Sequence, residues 1–150
     1  MVHRGIATLS GALMACYLLL GHFEPEFFLL HFYESLIYLM IVLMLFYFDD
    51  RWAYAFCMFA PPTWFLLTFS TGMLISRLSA PTPGPIRLLT MFTLLLGIAM
   101  VASSFYRWRR EFSGMGKNVV TFTVSLFVVL AYYGTLAWWY WETLTHYRQR

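Results

Sequence analysis

The chain has 150 residues, 61% of them hydrophobic, 21% aromatic and only 11% charged, with a mean hydropathy of +0.67. A soluble domain carries charge on roughly a quarter of its residues, so this composition excludes one and identifies an integral membrane protein. The net charge of +3 is spread over short loops and ends, which excludes the concentrated basic face that nucleic acid requires.

The first apolar run, 5–22, follows His3 and Arg4. Leu13-Met14-Ala15-Cys16 has the loose form of a lipoprotein cleavage site, so a signal peptide competes with a retained span. The run continues through Tyr17-Leu18-Leu19-Leu20, where a lipidated cysteine would begin a polar tether. Gly11, Ala12 and Ala15 also suit close helix packing in lipid. An uncleaved first span is therefore expected. Pro25 disfavours helix at Glu24, so a turn separates this span from the second, 27–48.

The second span carries His31 and Glu34 inside its apolar run, where ionisable groups are expensive and mark a site by default. Asp49-Asp50-Arg51 turn the chain into a third span, 52–76, which contains Pro61 and Pro62. Two adjacent prolines remove two donors and clash with the preceding turn, so a kink or break is expected there. The same pair is a candidate hinge. Residues 77–87 hold three prolines and read as a stiff, extended connector.

The fourth span, 87–106, aligns Thr90, Thr93, Gly97, Val101 and Ser104 as a small-and-hydroxyl stripe for a helix contact. After the basic loop 107–117 comes a fifth span, 118–141, closing on Trp138-Trp139-Tyr140-Trp141 at headgroup level. The expected fold is thus an all-α, polytopic membrane bundle of about five transmembrane helices, forming one domain over 1–150. Five spans put Arg4, Arg51, Arg107, Arg109, Arg110 and Lys117 on one side and Arg77, Arg87, Arg148 and Arg150 on the other. The positive-inside rule then predicts a cytoplasmic N-terminus and an external C-terminus. Nine arginines against one lysine suggest a GC-rich bacterial genome and its cytoplasmic membrane.

This topology gathers His22, Glu24, Glu26, His31 and Glu34 at the outer rim, with Glu142 and His146 at the outer end of span five. His31 and Glu34 are i,i+3 and Glu142 and His146 are i,i+4, so each pair shares a helix face. Such pairs form part of the Glu-x-x-His arrangement of metal-binding bundles, although neither reads Glu-x-x-His. A haem would need His31 to face His146. Glu34 needs a partner at depth, and Arg87, on the same rim, is the expected one, with Thr90 and Tyr38 as further candidates. Phe23, Phe27, Phe32, Tyr33 and Trp138 read as interface anchors, or alternatively as a slot for a quinone, pigment or lipid. Cys16 and Cys57 lie in separate apolar runs without a CxxC partner and read as small buried residues.

No nucleophile–base motif is present, so the reading leans away from an enzyme. The leading expectation is a small non-catalytic subunit or scaffold packing against other membrane subunits or its own copies within the lipid bilayer. The first alternative is a cation, proton or small-ligand transporter using His22, Glu26, His31, Glu34, Glu142 and His146. The second is a metal- or haem-binding component of a membrane redox complex. The cofactor stays open.

Overall fold

The computed structural model describes residues 3–79 and 81–146. They form an all-helical bundle of α1 (His3–Phe23), a 3-10 turn (Pro25–Phe27), α2 (Phe28–Tyr47), α3 (Asp50–Ser70), α4 (Met73–Leu78), α5 (Gly84–Glu111) and α6 (Met115–His146). Arg148 and Arg150, two of the charges used for the orientation, lie outside the described residues. Among the described residues, α1, α2 with its leading turn, α5 and α6 are each long and apolar enough to cross a membrane. Lipid offers no partner for backbone polar groups, and helices satisfy theirs internally.

The remaining expected span falls on α3, which at 21 residues matches α1 in length but is not apolar enough to stand with those four. Its prolines, threonines, Tyr54 and Trp64 make it less apolar, and the bundle buries Tyr54, Pro61, Trp64 and Thr68. It packs against α2, α5 and α6, while α1 packs on α2 and α5. Ala53, Tyr54, Phe56, Cys57, Ala60, Trp64 and Thr68 of α3 are all buried. The one long helix without a strongly apolar stretch among the described residues is thus also the most enclosed.

The two ends of the bundle are tied separately. At one, Asp49 caps α3 by accepting from the Arg51 N–H at 3.1 Å. The Arg51 guanidinium donates to Asn118 Oδ1 and the Ser113 carbonyl, both at 3.2 Å, and lies over the Phe112 ring. The α2–α3 and α5–α6 turns therefore share this end. At the other, Glu24 before α2 meets Arg77 on α4. Helix α3 runs from one end to the other.

Three expectations about elements change. Helix α3 does not break at Pro61 and Pro62 but continues as helix to Ser70. Both rings are accommodated in the turn, and Pro61 is buried against α5, where a Cβ added to Gly97 would stand only 3.2 Å from the Pro61 Cβ. The third span ends at Ser70 and not at 76, because Gly72 adopts a left-handed conformation (φ 77°) and the chain restarts as the short α4. That conformation favours glycine. The connector is likewise shorter than expected. Thr82 closes a turn, its N–H donating to the Ser79 carbonyl at 3.1 Å and its hydroxyl to the Ser76 carbonyl at 2.7 Å, and Pro85 opens α5.

Helix α5 buries Ile86, Thr90, Thr93, Gly97, Met100, Ser104 and Trp108. This is the expected stripe, with Met100 in place of Val101. The Thr90 and Thr93 hydroxyls donate back to the Ile86 and Leu89 carbonyls at 2.8 and 2.9 Å, so they pack without stranding a polar group. At 28 residues α5 is about 42 Å long, longer than the roughly 30 Å hydrocarbon layer. Its last turn, with Arg109 and Arg110, complements the negative end of the helix dipole.

Candidate functional site

The chain places one ionic cluster deep in the bundle, where the α1–α2 turn, α2, α3 and α4 converge. His31 and Glu34 are 0% exposed, Arg77 1%, Trp64 3% and Glu24 7%. Local chain rules bring them together. Pro25 starts the turn that swings Glu24 over α2, and the i,i+3 spacing puts His31 and Glu34 on one face. Gly21 lets α2 approach α1 closely, since an added Cβ would meet Phe28 Cδ2 at 3.0 Å and His31 Cβ at 3.5 Å. The left-handed Gly72 directs α4 so that Arg77 turns inward.

The imidazole is the centre. Its Nδ1 lies 2.8 Å from Glu34 Oε2, and the other Glu34 oxygen accepts the Trp64 indole N–H at 2.8 Å. Its Nε2 lies 3.0 Å from Glu24 Oε2 and 2.9 Å from Arg77 Nη2, which also donates to Glu24 Oε2 at 2.9 Å. A carboxylate only accepts and a guanidinium only donates, so the ring proton belongs on Nδ1 when His31 is neutral. Nε2 then accepts from Arg77. In the imidazolium form Nε2–H donates to Glu24 instead, and the Arg77 N–H no longer has a lone pair to meet there. The triangle of Glu24, His31 and Arg77 thus admits two hydrogen-bond patterns that exclude each other. Charge is compensated locally, as burial at this depth demands.

The cation at this rim is Arg77, not Arg87. Both Glu34 oxygens are taken by His31 and Trp64, and Arg87 lies half-buried in the first turn of α5. Tyr38 and Thr90 are buried but form no hydrogen bond to Glu34, Thr90 having turned to its own helix. His22 and Glu26 are exposed on either side of Glu24. Glu142 and His146 are exposed too. His146 Nδ1 sits 3.0 Å from the Glu142 backbone carbonyl, not on its carboxylate. His31 does not face His146, because both its nitrogens are engaged within the cluster. The two carboxylates lie against opposite nitrogens of the ring, so they do not converge on one point. Among the described residues, no three His, Cys, Asp or Glu side chains are placed to hold a metal ion.

Sequence reasoning missed Arg77 and Trp64 as members. Arg77 had a signal, being a second arginine on the rim and five residues after a glycine that interrupts an apolar run. Trp64 had none, because nothing along α3 distinguishes an indole turned toward a carboxylate from one turned toward lipid. The alternative reading of Phe23, Phe27, Phe32, Tyr33 and Trp138 as an outer slot does not hold. Phe23, Phe32 and Trp138 are exposed, and Tyr33 stacks on Tyr132 at 4.5 Å. The Tyr33 and Tyr132 hydroxyls each donate to the other's backbone carbonyl, fastening α2 to α6.

These features define the class: a polytopic helical membrane protein with a closed ionic cluster near one end of the bundle. No protein-family model matches the chain, and no characterised protein or solved structure matches it either.

Proposed function

We propose that this chain is a small non-catalytic membrane component that works by packing against other membrane helices, its own shape held by the buried cluster. The observation that carries this reading is the outer face of α6. Gly134, Ala137 and Trp138, on one face of the helix, and Trp141, just past the kink at Tyr140, line an open hollow of about 510 Å³. Large aromatic side chains beside small residues leave room for a side chain from a facing helix, and Gly134 and Ala137 let backbones approach in lipid. The cluster supports the same reading. Its carboxylates and imidazole are held by one another, by the Trp64 indole and by Arg77 Nη2 across four segments, which suits a clamp better than a path for ions. The occupant of the hollow is a helix of a partner subunit or of a second copy. In this reading the N-terminal side and the 107–117 loop face the cytoplasm of a bacterial cell.

The test is photo-crosslinking in native membranes from a reactive amino acid at Ala137 or Trp138, with Leu95 on the outer face of α5 as control. A discrete protein adduct from α6 is expected, its mass separating a second copy from another subunit. Lipid adducts alone, equal at all three positions, would remove the proposal.

One observation favours a second reading, proton-coupled transport: the exclusion of Arg77 Nη2 from Nε2 when His31 takes a proton. Uptake would release α4 from the ring while leaving Arg77 on Glu24. Pyranine-loaded proteoliposomes test this reading. Proton flux present in the native protein and lost in His31→Gln supports it, and no flux in the native protein refutes it.

A further inference from the structure

We propose that the last turns of α5, at the end of the bundle that holds Arg51, bind the phosphate of an anionic phospholipid through Arg109 and Arg110. The inference rests on α5 crossing the bilayer and not on which side this end faces. Residues 49–51 and 107–117 carry Arg51, Arg107, Arg109, Arg110 and Lys117 against Asp49, Asp50 and Glu111. Arg51 is held by Asn118 Oδ1 and the Ser113 carbonyl. Arg107 and Glu111, i,i+4 on their own side of α5, lie with Asp50 toward the Tyr54 phenol of α3. Among the described residues, Arg109 and Arg110 form no ion pair. Both are exposed and lie over rings of their own helix, Arg109 over Phe105 at 5.9 Å and Arg110 over Tyr106 at 4.3 Å.

Three features select this ligand. The first is depth. The outer side of α5 exposes Leu88, Phe92, Leu95, Ile98, Phe105 and Tyr106, and Leu88 to Tyr106 spans about 27 Å along the axis. That length nearly fills the hydrocarbon layer of roughly 30 Å, so Arg109 and Arg110 stand just beyond it, at headgroup level. The second is direction. Trp108 is buried against the bundle, and a helix turns about 100° per residue, which swings Arg109 and Arg110 outward above the apolar side. An acyl chain lying along that side carries its phosphate to them. The third is chemistry. The Tyr106 ring covers one face of the Arg110 guanidinium and leaves its N–H edges for phosphate oxygens, which guanidinium grips in pairs. A choline headgroup brings its own cation against the two arginines, whereas a headgroup of net negative charge does not.

The experiment uses the full chain in phosphatidylcholine nanodiscs containing a phosphatidylglycerol with a diazirine near the head of one acyl chain, photolysed and mapped by mass spectrometry. Saturable labelling of the peptide bearing Phe105 and Tyr106 is expected, displaced by plain phosphatidylglycerol and not by further phosphatidylcholine. Arg109→Gln and Arg110→Gln should each weaken it about fivefold, the worth of one basic residue at an anionic surface. Arg4→Gln removes the same charge from an exposed position on α1 and should leave the α5 label unchanged. Labelling spread evenly over lipid-facing peptides, equal displacement by phosphatidylcholine, or an equal loss in Arg4→Gln would each overturn the proposal. So would displacement by inorganic phosphate or by polyglutamate as complete as by phosphatidylglycerol, the first pointing to any free anion and the second to an acidic protein segment. Should a variant fail to insert, the map and competition on the native chain decide alone.

Discussion

Arg77 and Glu24 are the pair on which the cluster's energetics turn. Removing one partner of a buried ion pair typically costs about 3–5 kcal/mol, because the other is left charged and desolvated. Arg77→Met is therefore expected to destabilise the protein by about that amount in thermal unfolding in detergent. Adding Glu24→Gln should recover part of the loss, with a coupling well above the ~0.5 kcal/mol scatter of independent sites. A second cycle discriminates between the two arginines of the rim. Glu34→Gln and Arg87→Leu should be additive, since Glu34 is bound to His31 and Trp64. Coupling in the second cycle and none in the first would return the partnership to Arg87.

At the scale of elements, two substitutions separate what a helix needs from what its packing needs. Pro62 is exposed in α3, so its ring contributes little packing while its missing N–H leaves the Met58 carbonyl without its helical donor. Pro62→Ala is expected to raise the melting temperature, the intrinsic difference between the two residues in a helix being about 3 kcal/mol at most. A lower melting temperature would show that the proline is required for the shape of α3. Gly72→Ala tests the turn that aims α4. No atom stands within 4 Å of the added Cβ, so the cost is conformational, about 1–2 kcal/mol for a left-handed residue. Weaker protection of the α4 amides in hydrogen exchange should accompany it. Unchanged stability would mean that the left-handed turn does not hold Arg77 in place.

For the whole molecule, the two tied ends make the crossing of α3 testable. Ser113 lies at the end shared by the α2–α3 and α5–α6 turns, and Thr82 at the end that holds α4. In a background lacking Cys16 and Cys57, Ser113→Cys and Thr82→Cys should react with a membrane-impermeant maleimide from opposite faces of sealed vesicles. The proposed orientation puts position 113 inside. Labelling of both from one face would contradict a crossing by α5 and, through the tied ends, by α3, and exchange of the two faces would invert the orientation alone.

The sequence by itself determined the helical membrane class, because apolar length and the scarcity of charge are additive along the chain and lipid leaves the backbone few alternatives. It also determined that His31 and Glu34 share a face and that α5 presents a small-residue stripe, both consequences of helical periodicity. Only the tertiary structure decided which cation enters the cluster. Arg77 and Arg87 have the same side chain on the same rim, and the choice rests on a single left-handed glycine and the direction of a six-residue helix. The same holds for Trp64 and for the contact between Pro61 and Gly97. Whether an indole meets a carboxylate or lipid, and whether a proline breaks a helix or seats against a glycine, depends on the neighbouring helix. That information lies in distances between segments far apart in the chain.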